Sequence, residues 1–209
     1  MNPERVFRFV LIGVFCLFSI MRILYYHLAK RAGYRTVIEE SRKYSILLSV
    51  FICYQVFSFF VYLFLPEWLS WAAFSLPLGT RAAGSSLAVF ALLLFLWVHR
   101  SLGHNFSSTL RIKDRHRVVT SGPYRLMRHP MYSAFYLLHA AVFFLTKNWF
   151  IGLSWTLGLT LIIILRVKRE EEMMVRHFGD EYSSYMKRTG RFLPPLRFRG
   201  IFKNNRGAV

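Results

Sequence analysis

The chain reads as an all-α polytopic membrane protein with about five transmembrane helices, and three observations carry that reading. Apolar residues make up 55% of the 209 positions, charged residues only 18%, and 21 residues are Phe; a soluble domain holds about 45–50% apolar and about 25% charged residues. The apolar excess collects in five runs, roughly 6–28, 44–65, 82–98, 131–146 and 149–166, which makes lipid the solvent for much of the surface. The basic residues sit almost entirely between those runs.

Each element follows from its own residues. The first two runs are long enough for a span of about 20 residues. Val6 to Leu28, with Arg5 and Arg8 at its start, is too long for a signal peptide and lacks a small-residue cleavage pattern, so it is expected to be retained as a span. The third run opens on Gly84-Ser85-Ser86, small residues that let helix backbones approach closely. Only Lys147-Asn148 and their neighbours separate the last two runs. That spacing predicts a tight helical hairpin, because backbone in lipid must satisfy its own hydrogen bonds. From Lys168 to Lys187, Met174, Phe178, Tyr182 and Tyr185 recur at spacings of four, four and three among acids and bases. This predicts an amphipathic helix lying on the membrane surface or capping the bundle, ended by Gly190 and Pro194-Pro195. One structural domain is expected, with spans one to three in residues 1–98 and, in 99–209, a region of loop, spans four and five, C-terminal helix and basic tail that holds the candidate chemistry.

The net charge of +18 would ordinarily raise nucleic acid as a partner. The basic residues flank spans and form no recognition module, so no nucleic-acid partner is expected. Residues 29–43 hold five Lys/Arg, residues 99–130 seven, and the tail from Arg166 eleven; the opposite side holds Arg5, Arg8, Arg81 and Lys147. The positive-inside rule then puts the N-terminus outside and the C-terminus in the cytoplasm, with membrane lipids as partners through anionic headgroups. Small size favours a bacterial or archaeal inner membrane over the endoplasmic reticulum. Arg22 is the one clear charge within a span. Cys16 and Cys53, both inside apolar runs, read as reduced packing residues. The seven His form no tight cluster, so no metal site is expected, and a Gly-rich nucleotide loop after a strand is absent from the sequence.

Two stretches carry candidate chemistry. The first runs from His116-Arg117-Val118-Val119 through Gly122-Pro123-Tyr124 to Arg128-His129-Pro130-Met131-Tyr132. Gly122-Pro123 marks a turn, and Pro130 suits the first turn of a helix, where its missing N–H costs nothing. His129 then stands at a helix mouth, whose unpaired N–H groups form a seat for a carboxylate or phosphate. The plainer alternative makes Arg128 and His129 interfacial anchors on headgroups. In the second stretch, Arg166 and Glu170 are four apart and share one helical face, so they can pair. A charge at the boundary of an apolar run needs a partner or a task; the alternative is a snorkelling Arg beside solvated acids.

Taken together, these stretches resemble the isoprenylcysteine carboxyl methyltransferase family and its prokaryotic relatives, a group that includes membrane phospholipid methyltransferases. The matching residues are Leu102-Gly103 with Asn105, the first stretch above, Arg166 with Glu170-Glu171-Glu172, Phe178-Gly179-Asp180-Glu181-Tyr182 with Tyr185, and Gly190-Arg191-Phe192-Leu193-Pro194. They cover about residues 100–195 in order and at the family's spacing, while the first hundred residues match only as spans. The resemblance implies S-adenosylmethionine as cofactor, lined by His116, Arg117, Val118, Val119, Tyr124, His129, Pro130, Met131 and Tyr132. It implies that Glu170 holds the cofactor's polar end and that Arg166 meets the substrate, so that Arg166 and Glu170 are the catalytic pair. The family's eukaryotic branch has a Gln near the position of Thr109, a departure here.

The residue chemistry agrees. A zwitterionic amino acid joined to a sulfonium wants an anionic partner and a cationic one, and Glu170 can take its ammonium while the helix mouth with His129 takes its carboxylate. The expected acceptor is lipidic or prenylated and enters from the bilayer; carboxyl methylation of an isoprenylcysteine type suits Arg166 better than phospholipid amine methylation. The Arg-His-Pro-x-Tyr turn also resembles NADPH-dependent membrane sterol reductases. Those typically carry a basic, Cys-containing pattern where this chain has three acids, which favours the methyltransferase. A non-enzymatic membrane scaffold is the remaining alternative, and the full set of motif residues argues against it.

Overall fold

The structure, a computed structural model, describes residues 2–31, 36–39, 42–103, 111–113 and 117–195. His116, and with it Asn105 and Thr109, lies outside the described residues. In chain order the elements are α1 (Pro3–Arg31), β1 (Thr36–Glu39), α2 (Arg42–Phe64), a 3-10 helix (Pro66–Ala72), α3 (Leu78–Leu102), β2 (Arg111–Lys113), a second 3-10 helix (Gly122–Arg125), α4 (Pro130–Thr146), α5 (Trp149–Phe178) and α6 (Asp180–Arg188). The all-α membrane architecture is as the composition predicts. Helices α1, α2, α3 and α5 are each long and apolar enough to cross a membrane, and α4 is a shorter apolar helix. At 17 residues, α4 sits at the lower end of the length a span needs.

The lipid-facing surface is visible in the exposed residues. Phe9, Leu17, Ile20 and Leu24 of α1, Phe57, Phe60 and Phe64 of α2, and Leu157, Leu161 and Ile164 of α5 are all exposed large hydrophobics. Cys16 and Cys53 are free thiols that lie on this outward surface, not in packing positions. Small residues seat the helices against one another as expected. A Cβ on Gly84 would stand 2.6 Å from Phe144 Cβ, so α3 and α4 touch there through a bare backbone.

The helical reading lacked the antiparallel pairing of β1 with β2. It joins the connection after α1 to the connection after α3, so these two basic loops share one end of the bundle. The opposite end holds the α4–α5 hairpin. Lys147 takes the left-handed conformation there (φ 50°), and the Asn148 side chain accepts from the Ile151 N–H at 3.0 Å and donates to Leu69 O at 2.8 Å. Arg81, 3% exposed, donates to Glu4 Oε1 at 2.9 Å and to Leu145 O at 3.0 Å, and Lys147 Nζ reaches the same Glu4 oxygen at 2.7 Å. This ties the start of α1 to α3 and to the end of α4. Arg81→Ala removes two hydrogen bonds from a buried cation and is expected to cost about 2 kcal/mol, read as a lower thermal midpoint in detergent, with Arg81→Lys in between.

One boundary differs from expectation. The stretch from Lys168 to Lys187 is not a single separate helix. α5 runs straight on to Phe178, and the chain turns at Gly179 (φ 56°), a left-handed conformation that glycine adopts without a Cβ clash, before α6 begins. Its Met174, Tyr182 and Tyr185 line a cavity in the bundle, so this apolar face caps the bundle instead of lying on lipid.

Candidate functional site

Helix α4 starts where Pro130 predicts, with His129 as the residue before it. The strand-like segment leading into it is strapped by the chain after α6. Arg128 N–H donates to Gly190 O and His129 N–H to Arg191 O, both at 2.9 Å, and Ser133 Oγ donates to Phe192 O at 2.6 Å. The Tyr185 hydroxyl donates to Tyr124 O at 2.7 Å. Upstream, Gly122 has φ 59°, and a Cβ there would collide with Ser101 Oγ, so the turn before Tyr124 packs directly on the end of α3.

A buried charge cluster locks this strap to α5. Glu171 accepts from Arg128 Nε at 2.9 Å and from both Arg191 Nε and Nη2, and its Oε1 lies 3.2 Å from His129 Nε2. Arg128 also donates to the carbonyls of Met186 and Thr189. Arg128 is therefore an internal tie and not a headgroup anchor. Burial alone pushes the Glu171 carboxyl up, but the hydrogen bonds from His129, Arg191 and Arg128 outweigh it and hold the group down at about 2. Sequence reasoning gave Glu171 no part of its own. The signal available was its place in a run of three acids inside a basic tail.

The neighbouring acid points elsewhere. Glu170 Oε2 accepts the Tyr132 hydroxyl proton bond at 2.9 Å, and its Oε1 stands 3.9 Å from His129 Nδ1. Both residues lie on the wall of a cavity of about 510 Å³. Of the residues expected to hold cofactor or substrate, Arg117, Val118, Val119, Tyr124, His129, Met131, Tyr132, Arg166 and Glu170 line this one cavity. Pro130 is buried behind them at the start of α4. The expected residues thus come from the loop before α4, from α4 and from α5, and meet in one place.

Residues that sequence reasoning did not assign to the site complete the wall. Tyr182 and Tyr185 come from α6, Met173 and Met174 from α5, Arg22 from α1 and Gln55 from α2. Burial raises the phenol of Tyr124, with Glu170 reinforcing the effect, and likewise that of Tyr182, with Glu170 and Glu171 adding to it. Burial pushes Tyr185 up to about 12. These phenols stay neutral and present aromatic rings beside a carboxylate, a setting suited to a cationic ligand. Further in, the walls become Phe15, Phe18, Phe135, Leu159 and Ile162, an apolar chamber between the spans. One cavity therefore has a polar, acid-and-arginine end and an apolar end.

Residues 84–176 match the isoprenylcysteine carboxyl methyltransferase (ICMT) family. A probable protein-S-isoprenylcysteine O-methyltransferase of Oryza sativa subsp. indica is 34% identical over 94 residues, covering 44% of this chain and 49% of that protein. The protein-S-isoprenylcysteine O-methyltransferase of Homo sapiens is 31% identical over 97 residues, 46% of this chain and 34% of that one. A methanethiol S-methyltransferase of Pseudomonas deceptionensis is 36% identical over 75 residues, 35% of this chain and 27% of that one. The chain spans about half the length, or less, of these curated relatives. Among solved structures, that of a eukaryotic intramembrane Ras methyltransferase, ICMT, matches with a TM-score of 0.51 at 22% identity, covering 77% of this chain and 55% of that one. The fold is shared with it.

Proposed function

We propose that this chain, ICMT-like across residues 84–176, is an integral-membrane methyltransferase that uses S-adenosylmethionine and methylates the carboxylate of a lipidic, isoprenylcysteine-type acceptor. The observation that carries the proposal is the meeting of Tyr132 and Glu170, at 2.9 Å, on the wall of a cavity that continues into an apolar chamber between the spans. A sulfonium nucleotide suits the polar end and a hydrocarbon tail suits the other.

The cofactor, when bound, supplies a methyl group on a positively charged sulfur, so a carboxylate acceptor needs no general base. Glu170 binds the ammonium group through a charge-assisted hydrogen bond, and Tyr132 orients that carboxylate. The neutral rings of Tyr124 and Tyr182 favour the positive charge by their π faces. Arg117, Val118, Val119, His129 and Met131 enclose the nucleotide, Pro130 fixes the helix start that carries them, and His116 extends the same stretch. Arg166, buried at the junction of the polar and apolar ends, holds the acceptor's carboxylate and keeps water out. Alignment of two bound reactants is itself worth roughly 7–11 kcal/mol. An amine acceptor would meet the Arg166 charge as a repulsion and would need a group to take its proton.

The loops at the β1–β2 end carry most of the positive charge, so the site faces the cytoplasm and the N-terminus lies outside, in a bacterial or archaeal inner membrane. Purified protein in detergent is expected to bind labelled S-adenosylmethionine saturably and to transfer the label to S-farnesylcysteine. Arg166→Ala is expected to lower turnover by about 100-fold while S-adenosylhomocysteine affinity stays within about twofold of wild type. Absence of saturable binding ends the proposal. Thermal stabilisation by NADPH but not by S-adenosylhomocysteine replaces it with a reductase.

A further inference from the structure

The apolar end of the cavity stops in one packed layer. Its lining ends at Leu11 on α1, at Val142 on α4 and at Trp155 on α5, and all three belong to a single core cluster. The next inward residues, Phe7, Leu145 and Ile151, are buried in that cluster beneath the cavity. We infer that this floor is a length gauge for the acceptor's tail, with Trp155 as the stop, and that the tail it fits best has about 15 carbons. The inference rests on the acceptor proposed above, with its carboxylate at Arg166.

Depth follows from the one helix that carries both ends. Arg166 and Trp155 stand eleven residues apart on α5, about 16 Å at 1.5 Å per residue. An extended chain gains about 1.2 Å per bond, since the three backbone bonds of a residue reach about 3.5 Å. From the carboxylate carbon of a cysteine to the tail's end there are about 11 bonds for geranyl, about 15 for farnesyl and about 19 for geranylgeranyl. Their reach is about 13, about 18 and about 22 Å. Farnesyl matches the depth to about 2 Å, geranyl falls about 3 Å short, and geranylgeranyl overruns it by about 6 Å.

A gauge needs a floor that does not yield. Trp155 Nε1–H donates to Ser58 Oγ at 2.8 Å, and its ring meets the His139 ring edge-on at 5.8 Å between centroids. Residues of α2 and α4 thus hold the indole in place. Beside it, Phe15 stacks on Phe59 at 4.2 Å and 10° between planes, closing α1 against α2. Trp155 and Val142 are each 4% exposed, so an extra methylene there displaces packed neighbours instead of filling space. Nearer the polar end the wall is open: Ile23 and Ile52 line the cavity and are also exposed on the outer surface, between α1 and α2.

The test compares tails without turnover. With S-adenosylhomocysteine present, calorimetry on the full chain in detergent measures the affinities of S-geranyl-, S-farnesyl- and S-geranylgeranylcysteine. Comparing each variant with wild type in one detergent cancels the partition of the tails into micelles. Trp155→Leu, which lowers the floor, should raise geranylgeranyl relative to farnesyl about tenfold, the scale of relieving an overpacked contact. Val142→Phe, which raises the floor, should lower farnesyl relative to geranyl by about as much. The two act in opposite directions, so either one that folds decides the matter. S-adenosylhomocysteine affinity, unchanged from wild type, reports folding. Ratios that stay put in a folded variant overturn the gauge and mean that the tail leaves past Ile23 and Ile52 into the bilayer. Failure of the wild type to bind S-adenosylhomocysteine overturns the methyltransferase reading itself.

Discussion

Glu171→Gln is expected to destabilise the protein by about 3–5 kcal/mol, the usual cost of removing one partner from a buried ion cluster. The side chain of Glu171 is 6% exposed, and it answers the guanidinium groups of Arg128 and Arg191 together with the His129 ring. A glutamine can neither neutralise the two cations nor accept from all of these donors. The cluster joins the segment ahead of α4 to α5 and to the chain after α6, so its loss loosens three walls of the cavity at once. In a chain of this size the thermal midpoint in detergent should fall by roughly 10 °C. The pH dependence follows from the same group. Folding lowers the Glu171 carboxyl from 4.5 to about 2, so its contribution is whole above about pH 4.5 and is lost as pH falls through about 2. The stability gap between wild type and Glu171→Gln should narrow on acidification across that window. A constant gap would mean that the cluster is held by packing, not by charge.

Glu170→Ala is expected to do the opposite: a small change in stability and a loss of about 100-fold in S-adenosylhomocysteine affinity, the scale of a charge-assisted hydrogen bond in a sheltered site. The Glu170 side chain is 30% exposed, and its Oε2 is engaged by the Tyr132 hydroxyl on the cavity wall. Its removal leaves Glu171 to answer the Arg128 and Arg191 guanidinium groups and the His129 ring. Tyr132→Phe, which deletes only the orienting hydroxyl, should cost about tenfold. Calorimetry with S-adenosylhomocysteine and thermal melts on the same samples separate the two acids. If Glu170→Ala melts early and binds normally, the neighbouring acids have been assigned the wrong way round.

The contrast between Glu170 and Glu171 marks where sequence reading stops. Both belong to one run of acids, and a resemblance can single out Glu170. Adjacent residues on a helix point about 100° apart, so which of them faces the cavity and which faces the strap depends on how α5 is rotated in the bundle. That rotation is set by contacts with α4 and the segment after α6. Arg191 shows the same dependence, because its partner is twenty positions away and is reached only after the chain turns at Gly179 and packs α6 back on α5.

The resemblance named the set of loop, α4 and α5 residues placed at the site; by themselves, the residues determined the apolar runs, the two charged ends, the α4–α5 hairpin and the helix start at Pro130. These follow from the transfer of apolar side chains to lipid and from local backbone preferences, which act over neighbouring positions. Tertiary structure alone decided that α1 supplies Arg22 to the cavity and that Glu171 is the hub of the ion cluster. A span that is apolar all round carries no polar stripe to mark its inward face. Which side turns inward is fixed by the shapes of the helices packed against it.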